Sequence, residues 1–455
     1  MAEEVKEVMD STDIRALLLA GMVDEAKTLF STRKDKVEDA LKEWNVATHK
    51  IHDRPKKYVD SEEVPQAKLP LPYQQKIVQS AVAFLFGKPV KLVQLSEGTD
   101  KAFKIIDDLW TEMRMATVNR KNARALFSQT ASAKLFVEYK DPEAEGTEAF
   151  NSVKCILLNK DNGNDLYYKK DQYGVMQCIA RGYTSKTADK LTEHFDAEFK
   201  DLVISCKKSD GFWIVESSAN LAKKIRYSYY EQEATEWELV QALIERTETL
   251  ISKRADNNDY TADAILVLTG EVTSLPGKEE TGKVVQLKGD GADAKYLSPS
   301  MAVDMVKDER ATLDNYILYF TDTVDLSSEN LKSLGQDSGK ALVMRFFPAI
   351  LKAMDKLEIF EEMIDREINI LKAMVKNIID VSPGMAVELK NLKIGYEFGN
   401  PLPDNIKEFV DILSASVGGK AIMSRKKAVE LNPLIKDADA ENKQMDEEEL
   451  STIED

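Results

Sequence analysis

Between Ser338 and Lys376 the chain reads SGKALVMRFFPAILKAMDKLEIFEEMIDREINILKAMVK. Apolar side chains recur at Leu342, Phe346, Ile350, Ala353, Leu357, Phe360, Ile364, Ile368, Leu371 and Val375. Steps of three and four residues sustained this long define one amphipathic helix. At 1.5 Å rise per residue it spans roughly 55–60 Å, more than the width of a small domain. Pro348 lies inside the pattern; it lacks an N–H and its ring crowds the preceding turn, which predicts a kink rather than a stop. Asp337 or Ser338 can cap the start, and Ser382-Pro383-Gly384 bars continuation at the far end. A helix of this length belongs in the core of a large α-rich protein, whatever that protein does.

The 455 residues suffice for such a core, and 43% apolar with 31% charged side chains describes a globular chain. The first residues, MAEEVKEVMDSTDIRALLLAGMVDEAKTLF, are acidic with a short apolar run, unlike a signal peptide. No apolar run approaches the ~20 residues of a membrane span. Cys155, Cys178 and Cys206 lack metal-ligand spacing and fall in strand-like segments, so buried reduced thiols in a cytosolic compartment are expected. The net charge of −17 argues against a tight grip on duplex DNA, which calls for a basic patch, but leaves weak contact open.

In chain order, DIRALLLAGMVDEAKTLF and KDKVEDALKEWNVATHKI read as helices. Pro55, Pro65, Pro70 and Pro72 then force an extended arm. His49, His52 and Asp53 resemble a metal pair without a third ligand, and an exposed polar turn is the expectation. A helix over YQQKIVQSAVAFLF ends at Gly87 before the strand VKLVQL. Two more helices follow, with Phe103, Ile106, Leu109, Trp110 and Met113 inward. From Lys134 to Glu216 the period becomes two, and turns at DNGND, DQYG and KSDG predict one antiparallel meander. Residues 234–258 are helical again, with Trp237, Val240, Leu243, Ile244 and Ile251 on one face. A small β unit and a second helix, MAVDMVKDERATLDNYILYF, complete a tip carried on two stalks. Both stalks expose apolar faces with nothing local to cover them. TDTVDLSSENLKSLGQDSG is a polar loop, LKIGYEFG is a lone strand expected to join the meander, and two short helices precede a frayed acidic tail.

Catalytic patterns fail on inspection. Gly277 to Lys283 fits the phosphate-loop spacing, but Val284 stands where Ser or Thr would hold magnesium, and the segment leads into a strand. Asp322, Asp325 and Glu329 could be imagined as a two-metal carboxylate cluster, yet no further Asp/Glu/His pattern supports it. Three histidines and no Gly-x-Ser-x-Gly leave nucleophilic hydrolysis without apparatus. No catalytic, metal or cofactor-binding residue is assigned.

The order of parts resembles the siphophage-type portal proteins of tailed bacteriophages. The resemblance rests on WNVATHKIHDRPKKY, on YQQKIVQSAVAFLFGKPVKL (the most specific stretch), on ISKRADNNDYTADAILVLTG, on TDTVDLSSENLKSLGQDSGKAL and on YEFGNPLPDNIKEFVDIL. Thr323-Val324-Asp325 departs from the pattern, where a proline commonly precedes the Asp. The resemblance implies an α+β, mainly helical portal fold. Residues 1–235 would be the wing, helical over 1–133 and antiparallel β over 134–216. Residues 236–258 and 304–320 would be the two-helix stem, 259–303 a small β clip and 321–337 the tunnel loop. Residues 338–399 would carry the kinked long wing helix and a returning strand, and 400–455 a helical crown with the acidic tail.

It further implies a homo-oligomeric ring of twelve at one capsid vertex of the virion, made in the bacterial host cytoplasm. Double-stranded DNA would pass through it without sequence specificity or membrane contact. Terminase large subunit, head–tail adaptor, major capsid and scaffolding proteins would be its partners. Glu329, Asn330, Lys332, Ser333 and Gln336 would face the DNA channel from the tunnel loop. Lys307, Glu309 and Arg310 would line the stem, Lys278, Glu279, Glu280 and Lys283 would meet the adaptor, and Pro348 would kink the long helix. Twelve copies would carry roughly −200 charge, repelling phosphates so that DNA slides instead of sticking. The competing readings are a non-viral oligomeric scaffold or adaptor and a metal-dependent nuclease.

Overall fold

The computed structural model describes residues 11–59, 61–139, 152–187, 190–262, 265–274, 286–297, 303–325, 339–380, 382–399, 414–417, 423–432, 434–435 and 437–454. Two compact units divide the chain: Met1–Asp325 with Pro348–Gly399, and Leu326–Phe347 with Asn400–Asp455. Helices and antiparallel strands are mixed in the first, the α+β class expected from the sequence.

Helices α1 (Ser11–Leu19) and α2 (Val23–Leu29) part at Gly21, whose φ of +77° lets the Gly21 and Met22 amides turn back onto the Leu18 and Leu17 carbonyls. After β1 (Ser31–Thr32) and α3 (Lys34–Trp44), the proline-rich arm holds a small hairpin, β2 (Lys57–Val59) with β3 (Glu62–Val64), and runs on extended. Next come α4 (Tyr73–Phe86), β4 (Lys91–Gln94), α5 (Asp100–Glu112) and α6 (Met115–Gln129). Ile106, Leu109, Trp110 and Met113 are buried as their spacing predicts, and Phe103 is partly so.

The expected single meander is in fact two sheets. Strands β7 (Asn164–Lys170), β8 (Met176–Thr187), β9 (Lys190–Phe199), β10 (Leu202–Ser209) and β11 (Phe212–Ala219) do form a meander, with β1 at its far edge. But β5 (Ala131–Tyr139) and β6 (Ser152–Leu158) belong to a separate sheet, completed by β12 (Tyr227–Glu231) from beyond the predicted range. The reason lies in β5, buried on both faces over its first six residues; it serves as a central strand flanked by α6 and so cannot lie in a sheet with one open face. The Asp210-Gly211 turn has φ of +50° and +90°, the positive pair a two-residue hairpin requires. Helices α1 and α2 cover the large sheet through Ile14, Leu18, Val23, Ala26 and Phe30 against Cys178, Phe195, Phe199 and Cys206.

Helix α7 (Gln241–Ala262) and α8 (Val303–Phe320) flank a two-stranded hairpin, β13 (Ile265–Ser274) with β14 (Gln286–Leu297). The long helix α9 (Gly339–Met374) continues through Pro348 and relaxes into a π turn at Val375–Ile379. Pro348 therefore does not stop it, and the boundary between the compact units falls at that residue. Phe360 is the aromatic hub of the main core, with Phe86 at 4.9 Å, Tyr230 at 5.3 Å and Phe127 at 6.2 Å between centroids. Ile364, Ile368, Leu371 and Val375 are buried from the same stripe, whereas Leu351 and Met354 stay exposed.

Three expectations at the C-terminal side need correction. Ser382-Pro383 ends one helix by starting another: Ser382 Oγ accepts the Met385 amide, Pro383 sits at the first helical position, and α10 runs Pro383–Asn391. Strand β15 (Ile394–Glu397) pairs with β4, not with the meander. In the second unit α11 (Arg425–Leu431) packs on α12 (Ala438–Glu454), so the acidic tail expected to fray is helical. Its Asp437 accepts the Ala440 amide (3.0 Å), and Asp439 and Glu441 lie at the positive helix end. Among the described residues no helix is long and apolar enough to cross a membrane.

Candidate functional site

The pair α7 and α8 is joined by polar as well as apolar contacts. Arg246 donates from Nε (2.8 Å) and Nη2 (2.6 Å) to Glu309 Oε1. Tyr73 hydroxyl donates to Asp314, which also pairs with Arg310 at 3.5 Å. Of the three predicted stem-lining residues, then, Glu309 bridges the two helices, Arg310 reaches along its own helix, and Lys307 is exposed. The apolar face expected to lie bare is covered at the start of this stalk: Ile244 on α7, and Trp237 and Val240 just ahead of it, are fully buried. On α8, Leu313 and Ile317 are buried while Met305, Tyr316, Tyr319 and Phe320 remain exposed.

The proline-rich arm covers another side of α7. The amides of Leu71, Leu69 and Ala67 donate to Glu248 Oε1 (2.8 Å), Ser252 Oγ (3.0 Å) and Asp256 Oδ1 (2.7 Å). Two residues of extended chain advance about 6.6 Å and four residues of helix about 6 Å, so alternate arm amides meet successive helical turns. Pro70 and Pro72 fall at the positions whose N–H would point away, where a missing donor costs nothing. Arg54 adds an ion pair to Asp256 (2.7 Å). His49, expected in an exposed turn, is 4% exposed with its Nδ1 2.6 Å from Glu248 Oε1. The correction follows from its partner: a carboxylate buried on α7 needs donors, and His49 supplies one alongside Leu71.

At the base of the stalks sits a second charged cluster. Glu236, just ahead of α7, has a side chain only 3% exposed and takes Lys352 at 2.8 Å and Lys356 at 2.9 Å from successive turns of α9. Burial alone would raise its carboxyl, yet the two ammoniums outweigh it and hold the group below its ordinary value. Lys352 also donates to the Thr321 carbonyl (2.9 Å) at the end of α8. There Asp322 adopts φ +50° and the Thr321 and Thr323 hydroxyls bond each other (2.9 Å). One carboxylate thus ties the approach to α7, the exit of α8 and the long helix together. Deeper in the same body, Lys134 and Glu367 form an ion pair at 2.8 Å, both fully buried; Asn119 and Tyr230 accept from Lys134, and the Tyr230 hydroxyl donates to Glu367.

The predicted loop residues Glu329, Asn330, Lys332, Ser333 and Gln336 and the predicted clip residues Lys278, Glu279, Glu280 and Lys283 lie outside the described residues, as does the phosphate-loop-like stretch. Sequence reasoning missed Glu236, Lys352, Lys356, Glu248, Ser252 and Asp256. The signal was present as polar residues at four-residue spacing on helices otherwise read for their apolar stripes. Among the described residues no group of three or more His, Cys, Asp or Glu could hold a metal. Cys178 and Cys206 are buried thiols as expected, and Cys155 is half-buried; burial pushes them up to about 12, about 11 and about 12 respectively. What the arrangement does chemically is brace: charge pairs lock helices to one another at fixed points.

Among curated proteins none matches the chain. Among solved structures, a chain from the neck of an empty GTA particle computed with C6 symmetry is similar at 9% identity and a TM-score of 0.43, covering 88% of this chain and 93% of that one. The profile of the family described as "Phage portal protein, SPP1 Gp6-like" matches residues 27–455. With nearly its whole length matched, the chain belongs to that phage portal protein family.

Proposed function

We propose that the chain assembles into a ring at a single capsid vertex, serving as a passive conduit for double-stranded DNA in packaging and ejection. In this reading it also docks terminase on one occasion and the head–tail adaptor on another. Family membership implies the homo-oligomeric ring, head–tail partners and a place in the virion. The single observation that carries the reading further is the braced stalk pair: α7 and α8, tied to each other at Arg246–Glu309 and footed on α9 through Glu236–Lys352, with a hairpin between them. A hairpin on two stiff, cross-linked helices suits a clip held at a fixed distance from the wing. Tyr316, Tyr319 and Phe320 on α8 supply apolar flank for a neighbouring copy. Residues 321–337 would be the channel loop, and the strongly acidic balance would keep DNA moving by denying it a phosphate grip.

The reading is tested by assembling capsids with and without this chain and measuring nuclease-protected DNA after packaging. Protected genome only in capsids that contain the chain supports it. Equal protection in its absence refutes the conduit.

A further inference from the structure

On this acidic molecule many cations of the first unit are matched to carboxylates, as Lys34 is to Asp165, Lys170 to Glu231 and Arg226 to Glu198. One cleft departs from that rule. It encloses about 740 Å³ where the β9–β10 turn, the β11–β12 connection, the π turn and α10 converge, and its rim carries Lys200, Lys223 and Lys376, all exposed. Behind the rim stand Lys224, Arg366 and Lys372. Arg366 donates to the Tyr227 carbonyl (2.8 Å) and Lys372 to the Leu392 carbonyl (2.7 Å), not to carboxylates. Among the described residues none of these six cations has a carboxylate at contact distance; Glu362 and Glu198 act on Arg366, and Asp365 on Lys372, from farther off, and Asp201 on the rim is already engaged by Arg15. Burial, then the charges of Arg366 and Lys372, hold the Lys224 ammonium below its usual value.

Two further features narrow the ligand. Asn220, 4% exposed, lines the cleft. Its Nδ2 donates to Glu198 Oε1 (3.1 Å) and to the Phe199 (2.9 Å) and Lys224 (3.0 Å) carbonyls. Those bonds hold in place the turn that carries Lys223 and Lys224. Leu221, 60% exposed, and Ala386 contribute apolar wall. An occupant must therefore bring negative charge and aliphatic surface. A phosphodiester backbone brings charge but little aliphatic surface. An acidic peptide brings both.

We propose that this cleft binds an acidic, aliphatic-containing peptide segment of a partner protein. Its carboxylates pair with Lys200, Lys223 and Lys376, and an aliphatic side chain rests on Leu221. The site does not depend on the channel reading.

Fluorescence anisotropy on the full-length protein tests it, with a labelled peptide of alternating Glu, Leu and Ala and, in parallel, a labelled single-stranded oligonucleotide. The peptide should bind at low salt, weaken as salt rises, and lose about tenfold in affinity in K223E/K376E. K223Q/K376Q, milder and at exposed positions, should lose about threefold with an unchanged circular dichroism melt. Peptide binding that is absent, or equal in wild type and both variants, overturns the proposal. So does tighter binding of the oligonucleotide at the same lysines, which would make this a phosphate site.

Discussion

Replacing Glu236 is the sharpest test of the stalk brace. Its carboxylate is 3% exposed between Lys352 at 2.8 Å and Lys356 at 2.9 Å, whose side chains are 12% and 20% exposed. Removing one member of a buried ion pair costs about 3–5 kcal/mol, because the partner charge is left without compensation. Here both lysines keep a route to water, so Glu236→Ala should cost about 2–4 kcal/mol, and Glu236→Gln, which can still accept hydrogen bonds, the lower part of that range. In a body of this size that lowers the melting midpoint by about 3–5 °C. A double-mutant cycle with Lys352→Met, followed by thermal melts, should return a coupling of about 1.5–3 kcal/mol. The pH dependence has a definite sign. Because the folded carboxyl lies below the ordinary value of 4.5, the brace is complete above that value and is lost as the pH falls through the depressed one. A Glu236→Ala melt within about 1 °C of wild type, or a cycle additive to within about 0.5 kcal/mol, would refute the reasoning.

Three other outcomes are open to measurement, two drawn from the geometry and one from the proposed function. Ser252→Ala removes the acceptor of the Leu69 amide, so hydrogen exchange at Leu69 should accelerate while Leu71, held by Glu248, stays protected; equal rates in mutant and wild type would contradict the lacing of the arm. Lys134→Met strands a fully buried Glu367 and should cost about 3–5 kcal/mol in a urea melt, most of it recovered by Lys134→Met with Glu367→Leu. No recovery in the double variant would argue that the pair is part of a larger network. Lys332→Ala, or shortening the loop around it, should leave rings intact by electron microscopy and reduce packaged DNA; normal packaging would count against a channel role for that loop.

The parts legible in the sequence were those set by local periodicity. The α9 stripe from Phe360 to Val375 buries as its spacing demands, the stalk helices frame their hairpin, and Asp210-Gly211 turns where its residue types require. What failed was pairing between distant segments. Nothing in the Ile394–Glu397 stretch says that its partner is Lys91–Gln94, about three hundred residues earlier, and a period of two cannot tell which strands share a sheet. The polar interior was hidden for a related reason. His49 was expected in an exposed turn, and Glu236 and Lys134 drew no notice, because burial of a charge depends on a partner supplied from elsewhere in the fold. The lacing of the arm was written in the alternation of Pro70 and Pro72 with Leu69 and Leu71, but only the position of α7 gives it meaning.

If the proposed function is right, braced stalks hold copies of this chain around an opening. Negative-stain images of the purified full-length protein, viewed end-on, test this directly. Turbine-like rings with a central hole are the predicted result, and a uniform population of single compact copies at high concentration would contradict it.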